Sequence, residues 1–380
     1  MLLLIKNARV YAPEPLGVQD ILIANGTIVQ MDTHLEVSIK DLPIIDAEGK
    51  RVSPGLIDQH IHIAGAGGKD GFSSLTPEVQ AADLVRCGST TTVGLLGTDA
   101  TIKSLPMLYG KVQALRSSGL STYMYSGYYG SDTVTITGSI QGDMVYVEPV
   151  LGFKIAIADI RSSYPTAMEL VRKLREVRTG GLLSQKKGIM HVHLGALKSG
   201  MDVLFELVES YHFPIKHISP THVGRTKDLF EQAIRFAKLG GMIDITTAAS
   251  KYTDPYKSVI YAIDQGVPID RLTFSTDGHA GLSAFDSEGA VIGFTKAAID
   301  RNLAEIQHLV RLGGLPMEVA LKLNTTNPAD NLGLKNKGRI APGFDADFCF
   351  FDEQLQLTDV IAMGKPMMRD GEVLLKPDFV

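Results

Sequence analysis

Eight short apolar, β-rich runs recur between Gly55 and Ser275, with helix-patterned stretches between them, and this alternation limits the fold more than any other feature. The runs are 55–61, 90–96, 122–128, 150–156, 188–193, 217–222, 242–246 and 272–275. Helical patterning covers 166–178, 201–211 and 227–239; the last carries Leu229, Phe230, Ala233, Ile234 and Ala237 on one face. Strand and helix in strict alternation predict an α/β fold, a (β/α)8 TIM-like barrel, with functional groups at the C-terminal ends of the strands. The two ends of the chain read differently. Strands are predicted at 3–5, 9–11, 20–24 and 27–29, and again at 346–351, 360–363 and 372–375. Asn25-Gly26 and Asp370-Gly371 are hairpin-turn pairs. We therefore expect residues 1–53 and 336–380 to meet in a small β-sandwich domain beside a barrel of residues 54–335.

Composition narrows the class. Hydrophobic residues make up 44% and charged residues 21% of the 380, values that support a packed core and argue against disorder. A net charge of −5 offers no basic surface for nucleic acid. Cys87 and Cys349 read as buried thiols in a reducing compartment, so the cytoplasm is the expected location. The apolar start 2–5 is too short for a signal peptide, and no run reaches transmembrane length.

The polar residues at the strand ends carry the chemistry. The first run closes in Pro54-Gly55-Leu56-Ile57-Asp58-Gln59-His60-Ile61-His62. Residues two apart on a strand point to the same side, so His60 and His62 can reach one metal ion. The glycine-rich stretch from Ala64 to Gly68 follows, where backbone can approach a ligand closely. The fourth run holds Lys154 among apolar neighbours, the fifth ends in His191-Val192-His193, the sixth in His222 and the eighth leads into Asp277. A lysine buried in such a strand loses its charge easily. The neutral amine can take up CO2 to form a carbamate, an anionic ligand able to bridge two cations. Four imidazoles, one carbamate and one carboxylate form a plausible ligand set for two zinc-like ions. His191 faces the same interior but is expected in the lower core or behind the ligands.

The opening motif, together with Gly338-Arg339-Ile340-Ala341-Pro342-Gly343-Phe344-Asp345-Ala346-Asp347, resembles the amidohydrolase superfamily over nearly the whole chain. Four segments resemble the isoaspartyl dipeptidase group more narrowly: 93–99, 135–139, 179–183 and 220–223. The resemblance implies that His60, His62 and Asp277 hold one divalent ion and His193 and His222 the other. It implies that carboxylated Lys154 bridges two ions, zinc being the expected metal. Asp277 would shuttle the proton from the attacking water to the leaving amine. Tyr129 would polarise the carbonyl, with Tyr128 as the competing candidate. Arg161 and Arg225 would take a substrate carboxylate, and Gly67, Gly68 and Thr98 would complete the pocket. The group also implies a homo-oligomer.

Two positions depart from that group. Lys69, followed by Asp70, stands where a glutamate would receive the substrate's α-amine, and Gly281 stands where a serine would touch substrate. The expected function is therefore hydrolysis of an amide bond in a small acidic substrate, most like a β-aspartyl dipeptide. The alternative is an amidohydrolase acting on an N-acyl, desamino or cyclic amide. A non-catalytic scaffold is disfavoured, because every ligand position is filled.

Overall fold

The computed structural model describes residues 2–68, 71–248, 250 and 252–375. Its centre is an eight-stranded parallel sheet, β1 Leu56–Ile61, β2 Ser89–Gly94, β3 Ser121–Gly127, β4 Val150–Ile157, β5 Ile189–Leu194, β6 Ile218–Thr221, β7 Ile243–Thr246 and β8 Leu272–Ser275. The strands pair in chain order. A helix intervenes between every consecutive pair, and nearly every strand position is buried. Beyond the last strand, Ile61 and Gly278 form a parallel bridge. Asp277 N–H donates to His60 O (3.0 Å) and His62 N–H to Gly278 O (2.9 Å), and these bonds join the first and last strands into a barrel.

Strand positions agree with expectation to within one or two residues. The sixth run is trimmed at both ends: Ile215–His217 is a 3-10 turn, and His222 leaves the strand in the left-handed region at φ 63°. The helix expected at 166–178 runs instead over Ala167–Ser184. Its start is a capping box between Thr166 and Glu169. Gly180 does not stop it, because that position packs against Met144 of the helix Ile140–Tyr146; an added Cβ there would lie 2.6 Å from Met144 Cβ. Close packing here overrides glycine's poor helix propensity.

The terminal strands form a second sheet of nine strands. Arg51–Pro54 lies in its middle, parallel to Leu2–Tyr11 and antiparallel to Phe348–Phe351. Ile5, Val10, Ile21, Ile23, Phe348 and Phe350 share an apolar cluster of their own on this sheet. Asn25-Gly26 and Asp370-Gly371 both turn with two positive φ angles, as their hairpin signature requires. A strand missed by the sequence reading, Lys365–Arg369, follows Leu357–Ala362 through Met363-Gly364. That turn has the same two positive φ angles but no Asn or Asp to signal it. The hairpin Gly281–Phe285 and Val291–Lys296 was also missed; it leaves the barrel directly after β8 and is largely exposed. Cys87 and Cys349 are buried and free, as expected. No described helix is long and apolar enough to cross a membrane.

Candidate active site

The C-terminal ends of the barrel strands converge on one cleft. His60 closes β1 with no exposed surface, and His62 follows just past the strand end. Their Nε2 atoms lie 3.1 and 3.2 Å from a single oxygen, Asp277 Oδ1. Asp277 follows β8 in the left-handed region, φ 54°, a conformation that aspartate tolerates better than most residues. His222 stacks edge-on between His60 and His193, with ring centroids 4.8 and 4.4 Å away. Its Nδ1 pairs with Thr246 Oγ1 at 2.6 Å. Burial pushes the His60 imidazole down to about 4 and holds His62, His193 and His222 below the usual histidine range, so the rings are neutral. Burial would raise Asp277, but the surrounding imidazoles hold its carboxyl well below the usual range, as an anion.

This donor set fits a cation. His222 Nε2 is buried without a hydrogen-bond partner among the described residues, and buried His60 Nε2 meets the Asp277 carboxylate without hydrogen-bond geometry. Buried polar atoms are seldom left unpaired without a reason. His60, His62 and Asp277 each aim a ligand atom into one small volume, all within 4.8 Å of one another. Lys154 sits beside them on β4, 1% exposed, with Nζ donating to Leu96 O at 2.9 Å. Burial pulls its ammonium down to about 8, which brings the neutral amine within reach at mildly alkaline pH.

The cleft is lined by His62, Lys154, His193 and Asp277 together with Gly67, Thr98, Tyr129, Arg161, Arg225 and Gly281. His60 and His222 lie just beneath this lining, and Gly68 is exposed at the rim next to Gly67. Lys69 and Asp70 lie outside the described residues. Of the two tyrosines, Tyr129 faces the cleft, while the Tyr128 hydroxyl is directed at Asp132, 3.5 Å away.

The two arginines differ in a way the sequence did not reveal. Arg161 grips Asp159 with both Nε (3.0 Å) and Nη2 (2.9 Å), and the same Nη2 donates to Tyr129 Oη (2.9 Å). Tyr129 O–H donates to Asp159 Oδ2 (2.6 Å) and lies 2.7 Å from His193 Nε2. Burial would raise the Asp159 carboxyl, yet its bonds from His193, Arg161 and Tyr129 hold it well below the ordinary range. Burial and the bond to Asp159 push the Tyr129 phenol beyond the usual tyrosine range, so it stays a donor. Arg225, by contrast, has a buried Nε with no hydrogen-bond partner among the described residues, and its Nη2 is 3.4 Å from His193. Arg225 thus keeps a buried donor unspent, whereas Arg161 spends Nε and Nη2 on Asp159 and Tyr129. Asp159 was missed because an acid two residues from an arginine at a strand end normally reads as a surface pair.

A sequence model of the amidohydrolase family matches residues 183–374. The chain belongs to the amidohydrolase family and is a hydrolase acting on amide bonds. In structure it is similar to the beta-aspartyl dipeptidase of Fervidobacterium islandicum, solved in complex with the dipeptide beta-Asp-Leu. The two are 40% identical over the full length of both chains, with a TM-score of 0.92. A dihydroorotase of Lactobacillus johnsonii is 25% identical over 94% of this chain and 90% of its own. The N-isopropylammelide isopropylaminohydrolase of Burkholderia multivorans shares the fold alone, at 15% identity and a TM-score of 0.65 over 98% of this chain and 100% of its own.

Proposed function

We propose that the chain hydrolyses β-aspartyl dipeptides, using two divalent ions, with zinc as the expected metal. The observation that carries this reading is the full-length match to the beta-aspartyl dipeptidase solved with beta-Asp-Leu. His60, His62 and Asp277 would hold one ion, His193 and His222 the other, and Lys154, as a carbamate, would offer oxygens to both. Carbamate formation joins the neutral Nζ to the carbon of CO2 and releases a proton. When bound, the ions supply Lewis-acid polarisation of the amide and make water a stronger nucleophile at neutral pH. Asp277 accepts the proton of the attacking water and returns it to the leaving amine. Tyr129 would turn its single O–H from Asp159 Oδ2 to the carbonyl oxygen as negative charge grows there. Arg225 and the free end of Arg161 receive the substrate α-carboxylate, while Arg161 Nη2 also donates to the Tyr129 oxygen and holds it in place. Gly67, Gly68, Thr98 and Gly281 shape the pocket around these groups. The barrel of 54–335 would carry the chemistry, the terminal segments forming the small domain. A homo-oligomeric, cytoplasmic protein completes this reading.

Lys69 motivates a second reading, in which the natural substrate has no free amine at that position. Two cations about 4 Å apart repel by roughly 1 kcal/mol in water and roughly 4 kcal/mol at an effective dielectric near 20. Asp70 in the glutamate's place, or Lys69 turned to solvent, would relieve the conflict instead. The test is hydrolysis of β-aspartyl-leucine against its N-succinyl, N-carbamoyl and N-acetyl analogues, by the wild type and by Lys69→Glu. Preference for the free-amine dipeptide, unimproved in Lys69→Glu, supports the dipeptidase reading. Preference for an N-acyl substrate overturns it in favour of the second.

A further inference from the structure

We propose that His191 is a positioning residue that fixes the ring tautomer of His60, so that His60 turns a bare Nε2 toward the cation. The inference rests on the reading of His60 as a ligand. His191 lies on β5 with no exposed surface, and its Nε2 is 2.8 Å from His60 Nδ1. Only one proton fits between two ring nitrogens at that distance. If it belongs to His191, His60 accepts at Nδ1, and its own proton sits on Nε2, directed at Asp277. If it belongs to His60, Nδ1–H donates to His191 and the Nε2 lone pair is free. Only the second arrangement makes His60 a ligand, and it requires an acceptor at the His191 position.

The surroundings of His191 supply that acceptor. Its ring stacks on Tyr125, with centroids 4.8 Å apart and planes 7° from parallel, so the ring cannot turn its edge away. Its Nδ1 faces Ser219 Oγ at 3.4 Å, an oxygen able to accept the Nδ1 proton that an accepting Nε2 requires. Asn331 Nδ2 anchors that hydroxyl at 2.9 Å and ties it to Gln59 Oε1, also at 2.9 Å, on β1. The support therefore runs from one strand of the barrel, through its interior, back to the strand that carries His60. Metal-binding histidines commonly lean on a carboxylate or a backbone carbonyl. Here the partner is a second imidazole, which orients His60 without adding negative charge. The pair His191 and His193 thus looks like a second ligand pair in sequence, but one ring would serve the ion directly and the other would serve His60 across the barrel.

The experiment compares zinc binding by the wild type, His191→Phe and His191→Gln in chelator competition. Phenylalanine keeps the stack on Tyr125 without an acceptor; glutamine restores one as Oε1. We expect His191→Phe to hold zinc about 10- to 100-fold more weakly, the usual cost of losing such a partner, and His191→Gln to recover most of it. Circular dichroism of the metal-free proteins checks that each variant is folded. Nitrogen-15 NMR of the zinc-loaded wild type gives a reading independent of any variant: His60 should carry its proton on Nδ1. Equal zinc affinity in wild type and folded His191→Phe, or a proton on His191 Nε2 in the loaded protein, overturns the inference. A wild type that binds no zinc removes the ligand reading and the inference together.

Discussion

Asp277 touches both His60 and His62 and also lines the open cleft, so one carboxylate joins the paired imidazoles to the cleft. If it moves the proton, Asp277→Asn should retain the fold and lose about a hundredfold or more in kcat, the scale of general acid–base catalysis. Steady-state kinetics on metal-replete protein checks this; near wild-type turnover would place the shuttle elsewhere. Lys154→Ala should lose most bound zinc, and a short carboxylic acid should restore part of it by filling the space of the carbamate. Metal analysis with and without added acid measures that, and full zinc content without acid counts against a bridging lysine. The polar residues that converge on the cleft were readable in sequence because polar side chains at the ends of apolar strands have few other uses. Asp159 was not readable, since its importance comes from lying against Tyr129 and Arg161 in space. Lys69 marks the opposite limit: its chemistry is plain in sequence, while its placement lies outside the described residues.

At the scale of elements, the rim of the cleft combines a close backbone contact with a side-chain clamp. An added Cβ on Gly281 would meet Gly67 Cα at 2.9 Å, so the start of the Gly281–Phe285 strand and the loop after β1 touch without room for a side chain. That contact gives a steric reason for glycine where the family resemblance leads one to expect serine. Thr76 clamps the same loop: its hydroxyl accepts from Ala66 N–H (2.7 Å) and reaches His279 O (2.6 Å). Thr76→Val removes both bonds at nearly constant volume. We expect KM to rise about tenfold, the equivalent of one hydrogen bond of about 1.4 kcal/mol, with kcat changed much less. Kinetics on β-aspartyl-leucine separate the two, and an unchanged KM would show that the loop is held without Thr76. The barrel strands were legible because strands buried on both faces are continuous apolar runs. The helix Ile140–Tyr146 was not, being short and interrupted by Gly142. The hairpin after β8 escaped notice because neither strand buries one face, which leaves no alternation to read.

Across the whole molecule, the second sheet depends on partners distant in sequence. Lys50 Nζ bonds Asp359 Oδ2 at 2.9 Å, tying the lead into Arg51–Pro54 to Leu357–Ala362. Burial would raise the Asp359 carboxyl, but Lys50 and Thr358 hold it below the ordinary carboxylate range. A depressed acid contributes stability above its unfolded pKa and loses it as pH falls through the folded value. Asp359→Asn should therefore cost about 1 kcal/mol at pH 7, with the difference from wild type closing below about pH 4. Denaturant midpoints at the two pH values check the sign. The existence of this sheet was foreseeable from strand signals at both ends, but not its order, because pairings such as Val52 with Phe350 leave no local trace. The same arrangement bears on how the chain is made. Roughly 290 residues separate Pro54 from its partner Phe348, so at about 5–20 residues per second a ribosome needs roughly 15–60 s to deliver the missing strand. For that time the outer edge of Arg51–Pro54 is an open template for any passing strand. When the last barrel strand has been made, the second sheet still lacks Phe348–Phe351, so its open edge outlasts the synthesis of the barrel.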